Sequence, residues 1–326
     1  MTKNDGAQIH VGIVGAGVAG LSAASRLSAR GHRISLFDKS KGLGGRLATR
    51  RSDAGDFDHG APGFTVGDPA FSAHVAEIAG DGGATAWPDG AGFLLTHGEG
   101  PIYTGVPGAS GFARTMAMRL PDTVTHHPAV TVTPPRRSAD GWHVAGVTVD
   151  ALVIAVPAPQ AAALLAEAHP ALSARAASVT MTAVASAMIG YVAPVAPERV
   201  QATLPSGIIA KAIPHSAKPW RDAAPMQRWV LHAGSGWSAD HIDESKEAIA
   251  AALADAFCGA TGAPPPDHAA GHRWRYAYAA SPLGEAAPGD DATRLALAGD
   301  WCLGDGVEHA WLSGQAGAAR LIEALV

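Results

Sequence analysis

Residues 10–40 read HVGIVGAGVAGLSAASRLSARGHRISLFDKS. His10 to Val14 is a short β-branched run, and Gly15-Ala-Gly17-Val-Ala-Gly20 follows it at once. Leu21 to Arg30 has the apolar spacing of a helix, Gly31 stops it, and Ile34 to Phe37 makes a second strand ending at Asp38. The pattern predicts a βαβ unit with its glycines between strand and helix and an acid 18 residues past Gly20. Each part has a physical task. Gly15 permits the tight turn, Gly17 lets the backbone approach a pyrophosphate, and Gly20 lets helix and strand pack closely. The positive end of the helix faces the phosphates, and Asp38 can accept from a ribose hydroxyl. Ala19 and Lys39, beside the glycines and the acid, join the candidate set for a bound dinucleotide.

That motif serves NAD and FAD alike, and the next stretch separates them. After the acid a nicotinamide-binding unit usually enters another helix. Here the chain runs Gly42-Leu-Gly44-Gly45-Arg46-Leu-Ala-Thr49-Arg50-Arg51, then Phe57-Asp58-His59-Gly60-Ala61. Glycine N–H groups and one bidentate guanidinium can neutralise a pyrophosphate without making the whole protein basic, so Gly44, Gly45 and Arg46 are candidates for that task. Arg50 and Arg51 are either ordinary surface charges or receivers of an anionic substrate.

This arrangement resembles the flavin amine oxidase superfamily, and most closely its renalase-like branch. YTGVPGASGFARTMA (103–117), LVIAVPAPQAAALL (152–165), SAKPWR (216–221), WVLHAGSGWSADH (229–241), HRWRYA (272–277) and LALAGDWCLGDGVEHAWLSGQAGAARLIEAL (295–325) keep the order of that branch. The resemblance implies an α/β fold: a Rossmann-type FAD-binding domain with a second, mixed or antiparallel-sheet substrate domain, in the amine oxidase/p-hydroxybenzoate hydroxylase-like topology. On it the FAD domain is expected over 1–68, 100–168 and 285–326, and the substrate domain over 69–99 and 169–284. It also implies non-covalent FAD, with Ala61, Phe64, Val130, Pro157, Gly299, Asp300, Val307, Glu308 and Ala310 completing the cofactor-binding set. The helix beginning at Val307 would turn its positive end to the flavin pyrimidine edge.

For activity the resemblance implies an FAD-dependent oxidase that takes a hydride from a dihydronicotinamide-type substrate to flavin N5, with O2 as acceptor and hydrogen peroxide as product. Aromatising a dihydronicotinamide removes no further proton, so no general base is required. A flavin amine oxidase or desaturase-like enzyme and a non-catalytic FAD-binding protein are the alternatives. Lys211, His232, His272 and Tyr276 are the candidates for the flavin face, with Trp274 and Tyr278 spaced to share one side of a strand. Two departures from the branch bear on the substrate. Pro62-Gly63 stands where a Gln-Tyr pair is customary, and Lys211 where tryptophan is. Lys211 is either solvated or a counterpart of the lysine that holds a water near the flavin in amine oxidases.

Composition narrows the rest. Hydrophobic residues make up 47% and charged residues 16%, as in a globular chain, and the net charge of -5 offers no global field for nucleic acid. Cys258 and Cys302 fit neither a disulfide scaffold nor a metal-ligand spacing. The polar start MTKNDGAQIH and the absence of a stretch of about 18 unbroken apolar residues predict a cytoplasmic protein without a membrane span. Asp243 to Phe257 is expected as a helix capped by Ser238 or Asp240, and 133–141 as a polar turn.

Overall fold

The computed structural model describes residues 8–88, 101–195, 207–221 and 225–325. The chain divides into two compact units, one built from Met1–Gly45, Ala113–Met181 and Tyr278–Val326, the other from Arg46–Phe112 and Thr182–Ala277. The boundaries differ from the sequence expectation. Residues 46–68 and 101–112 join the second unit, while 169–181 and 278–284 join the first. Loops and short strands carry too little periodicity to show which core they cover. Residues 1–7, 89–100, 196–206, 222–224 and 326, which enter the expected domains and the expected N-terminal segment, lie outside the described residues.

The first unit is built on a six-stranded sheet in the order Gly289–Asp290, Leu295–Leu297, Ala151–Ile154, His10–Val14, Arg33–Phe37, Val124–His127. Every pairing is parallel except that of Gly289–Asp290 with Leu295–Leu297. Val11, Ile13, Ile34, Leu36, Leu152, Val153 and Ile154 are all buried, so both faces of the central strands are covered, as a parallel sheet requires. The helices Val18–Ser28 and Val307–Glu323 pack through small residues. A Cβ on Gly314 would stand 2.2 Å from Ala19 O, and Ser22 Oγ donates to Trp311 O at 2.7 Å.

The second unit holds an antiparallel sheet ordered Ile209–Pro214, Gln227–Ala233, Met181–Tyr191, His268–Ala279. Its alternation sorts two faces. Ala185, Ala187, Ile189, Trp229 and Leu231 pack on Ile249, Leu253 and Phe257 of the helix Lys246–Thr261. On the opposite face Met188, Val230 and Ile213 meet Phe57, Trp87 and Ile102. Farther along that face lie Ser186, His232 and Lys211, register partners across three strands.

Two local expectations are corrected. The helix begins at Lys246, capped by Ser245, whose Oγ accepts from Ala248 N at 3.0 Å; Ser238 and Asp240 belong to a separate short helix, Ser235–His241. Residues 136–144 form a hairpin of Arg136–Ser138 with Gly141–Val144 rather than a plain turn. Asp300 opens a short helix, Asp300–Leu303.

Candidate cofactor cradle and substrate face

In the first unit, the glycines do different work. Gly15 has φ +109°, and a Cβ there would lie 2.3 Å from Ala155 O. A Cβ on Gly20 would lie 1.9 Å from Gly15 O, so both glycines are demanded by the protein itself. Gly17 is different. Its φ is -77°, and a Cβ would meet nothing within 4 Å. It caps the helix Val18–Ser28 with no side-chain hydrogen bond and no acid in the first turn, which leaves the helix end open to an anion. Ala19 is buried in that first turn.

The second glycine pair docks on the first. Gly44 N donates to Ala16 O at 3.1 Å, Gly17 and Gly44 form a parallel bridge, and Gly45, at φ +56°, would carry a Cβ 3.6 Å from Gly17 Cα. Asp38 ends its strand with a carboxylate fixed by two backbone donors, Ala16 N and Ser40 N, both at 2.7 Å. Each oxygen keeps a lone pair for a hydroxyl. Exposed Lys39 follows it, and Val130 N donates to Asp38 O at 2.9 Å, which brings Val130 beside the acid. These residues fit a dinucleotide: an open approach at Gly17, an uncapped helix end and an acid held at the strand tip.

Elsewhere in the same unit, Pro157 caps the helix Ala158–Leu165. Gly299 and Asp300 are buried after Leu295–Leu297, with Trp301 Nε1 donating to Val156 O at 3.0 Å. Burial pushes the Cys302 thiol up to about 12, so it behaves as a small apolar side chain. Val307, Glu308 and Ala310 form the start of the helix Val307–Glu323, capped by Gly306 at φ +96° with no side-chain bond. The remaining cofactor candidates fall in the second unit. Arg46 is half-buried and donates from Nη1 to Ala277 O at 2.9 Å, Arg46 O accepts from Ala61 N at 2.9 Å, and Phe64 packs with Phe71 and Phe112. Arg50 and Arg51 are exposed.

The substrate candidates of the second unit share one face. His232 pairs with Lys211 on one side and Ser186 on the other. His272, Trp274 and Tyr276 alternate along His268–Ala279 on a single side. His59 ties these together. Its carbonyl accepts from Trp274 Nε1 at 2.8 Å, His232 Nε2 at 3.3 Å and Ser186 Oγ at 3.3 Å. Its ring meets His272 edge-on at 4.5 Å between centroids.

The imidazoles of this face are held uncharged. Burial lowers His59 and His232 to about 4 and His272 to about 3, and nearby cations add to it: Arg50 at His59, Lys211 and Lys218 at His232, Lys246 and Arg50 at His272. His215, also buried, falls to about 4. The unfolded chain would protonate all four near pH 6.5. Between about pH 6.5 and 4 it therefore binds more protons than the fold, and stability rises with pH across that window and is lost as pH falls through it. The slope should reach several kcal/mol per pH unit, on the order of one proton per buried imidazole with a smaller share from half-exposed His272. Urea unfolding at pH 6.5, 5.5 and 4.5 measures it; an unchanged midpoint would contradict the neutral assignment.

Sequence reasoning missed the ionic knot behind this face. Asp58, fully buried, receives Lys218 Nζ and, at 2.6 Å, Arg221 Nη2 on Oδ2, which His215 Nε2 also faces at 3.4 Å, and Ala109 N at 2.7 Å and Thr49 Oγ1 at 2.8 Å on Oδ1. Burial would raise its carboxyl, but Lys218, His215 and Arg221 outweigh that and hold it well below the usual range. The signal was present in FDHGA and SAKPWR, yet nothing local pairs charges so far apart in sequence.

Residues 13–78 match the NAD(P)-binding Rossmann-like domain, and residues 91–322 match the flavin containing amine oxidoreductase family. The chain belongs to that amine oxidoreductase family. The family carries a flavin, and the glycine cradle with Asp38 fits its dinucleotide form, FAD. A crystal structure from Exiguobacterium sp. 255-15, named provisionally as a protoporphyrinogen oxidase, superposes with a TM-score of 0.73 at 15% identity, covering 97% of this chain and 99% of that one. A putrescine oxidase bound to putrescine gives 0.68 at 14%, with the same coverage. Both establish the fold: a Rossmann-type domain with an amine-oxidase-like second domain. Among curated relatives, the 4,4'-diapophytoene desaturase of Staphylococcus haemolyticus is 46% identical over 52 residues, 16% of this chain. The chain spans only 10% of the length of that relative. Among the described residues, no helix is long and apolar enough to cross a membrane.

Proposed function

We propose that this chain is an FAD-dependent oxidoreductase that oxidises a small, planar, reduced substrate of the dihydronicotinamide type, as the renalase-like branch does. One observation carries the reading. The candidate face of the second unit is aromatic and imidazole-rich, its histidines are uncharged, and the permanent charges beside them are cations: Lys211 and Lys218 act on His232, and Lys246, Arg50 and Arg273 on His272, after its closest electrostatic neighbour, the His59 imidazole. A cationic amine would meet like charge there, whereas a neutral dihydropyridine bearing an anionic tail would not.

In this reading Gly15, Gly17, Gly20, Gly44, Gly45 and Asp38 hold the dinucleotide portion of FAD. When bound, FAD would supply the hydride acceptor and the route by which two electrons reach O2 to give hydrogen peroxide. The residues of the face bind and orient. Half-buried Trp274 and His272 offer ring surface to a planar substrate, and Lys211 and exposed Arg50 offer charge to an anionic one. Loss of a hydride leaves the pyridine ring aromatic, so no side chain has to take a proton.

A second reading, a flavin amine oxidase or desaturase acting on another small substrate, draws its support from the family and from the putrescine-bound and desaturase relatives. Anaerobic mixing separates the two. Dihydronicotinamide isomers are expected to bleach the flavin within seconds while putrescine leaves it yellow. Bleaching by amines alone would replace the first reading with the second.

A further inference from the structure

His232 and Lys211 stand opposite each other on neighbouring antiparallel strands. Directly paired residues place their side chains about 5 Å apart at the Cβ atoms. His232 Nε2 lies 3.3 Å from His59 O, and a carbonyl can only accept, so Nε2 carries the proton and Nδ1 is a bare lone pair. Among the described residues Nδ1 has no hydrogen-bond partner, and it does not fall among the buried side-chain atoms left without one. The lone pair therefore opens on the accessible side of the face. Burial holds the ring near a pKa of about 4, so it stays an acceptor at neutral pH. Lys211, half-buried beside it, brings an ammonium with three N–H donors, enough for a partner in the protein and another outside it.

A fixed acceptor beside a fixed donor is complementary to an amide edge. We propose that His232 and Lys211 form a specificity pair for a substrate carboxamide, the amide N–H donating to His232 Nδ1 and the amide oxygen accepting from Lys211 Nζ. The pair deepens, and rests on, the dihydronicotinamide reading above. A carboxylate or a ketone in place of the carboxamide keeps the oxygen for Lys211 but sets an acceptor or a methyl group against the His232 lone pair, leaving it unsatisfied.

Binding to the FAD-loaded protein tests this without turnover. Titration calorimetry would compare oxidised nicotinamide mononucleotide with its 3-acetylpyridine and nicotinic acid counterparts. The carboxamide should bind about tenfold more tightly than the ketone, the scale of one hydrogen bond to a neutral group. His232→Leu should erase that ratio, His232→Asn, whose amide oxygen can take the place of Nδ1, should keep most of it, and Lys211→Met should weaken both ligands equally. Flavin content and melting temperature identify a variant that has merely misfolded. Equal binding of amide and ketone by the unmodified protein, no binding of the amide, or an unchanged ratio in well-folded His232→Leu would overturn the pair. A tenfold preference combined with a flavin that no dihydronicotinamide reduces would leave the pair standing and remove the proposed reaction.

Discussion

Asp58→Asn is expected to cost the protein about 3–5 kcal/mol of stability, the usual result of stripping one partner from a buried ion pair. Lys218 and Arg221 converge on Asp58 Oδ2 with all three side chains almost wholly removed from water. Asparagine keeps the shape and loses the charge, so two buried cations are left facing each other. At roughly 2–4 °C per kcal/mol the melting temperature should fall by about 10 °C. The defect should also depend on pH in a definite direction. Burial, with Arg221 as a competing cation, outweighs Asp58 and lowers Lys218 to about 8. An unfolded lysine keeps its proton to about pH 10.4. Between those values the unfolded chain binds more protons, so the parent's stability rises with pH; without the Asp58 carboxylate Lys218 sheds its proton at lower pH still, so the variant gains over a wider range and its deficit should be smaller at pH 9 than at pH 7. Thermal melts of both proteins at pH 7 and 9 measure this. A loss below about 1 kcal/mol, the same at both pH values, would mean the knot is not ionised as described.

Gly17→Val should have the opposite character, leaving the fold intact and removing the cofactor. The protein offers no atom within 4 Å of a Cβ at this position, and its φ of -77° suits any residue. What a valine would strike is the pyrophosphate approaching the open end of the helix. FAD affinity is expected to drop at least about a hundredfold, close to 3 kcal/mol. The melting temperature of the apoprotein should stay within a degree or two. Gly20→Ala is the contrasting control, because its Cβ would overlap Gly15 O at 1.9 Å and damage the fold directly. Fluorescence titration with FAD, alongside apoprotein melts, checks both. If Gly17→Val binds FAD as tightly as the parent, the cradle is not where the pyrophosphate sits.

The two sites differ in how far they could be read in advance. Gly15, Gly17, Gly20 and Asp38 were legible because their chemistry is local: a strand, a turn and a helix within 29 residues fix where each must point. Lys211, His232, His272 and Tyr276 were legible as a group only through resemblance, and the structure brings them to one face by strand register. The Asp58 knot was not legible at all, since its pairings with Lys218 and Arg221 span 160 and 163 residues. Long-range pairing of that kind depends on the tertiary fold and leaves no period in the sequence. Ser245 was overlooked as a cap for a humbler reason: Ser238 and Asp240 nearby are equally good cap residues, and only packing selects among them.

The central claim is that the cradle formed by Gly15, Gly17, Gly20, Asp38, Gly44 and Gly45 holds FAD. Its most direct test is the identity and amount of the cofactor released on heat-denaturing the purified, FAD-supplemented and desalted protein, read by chromatography against FAD, FMN and NAD standards. The protein should be yellow and release FAD in about a one-to-one ratio to chain. A colourless protein that retains no flavin, or one that releases NAD instead, would contradict it.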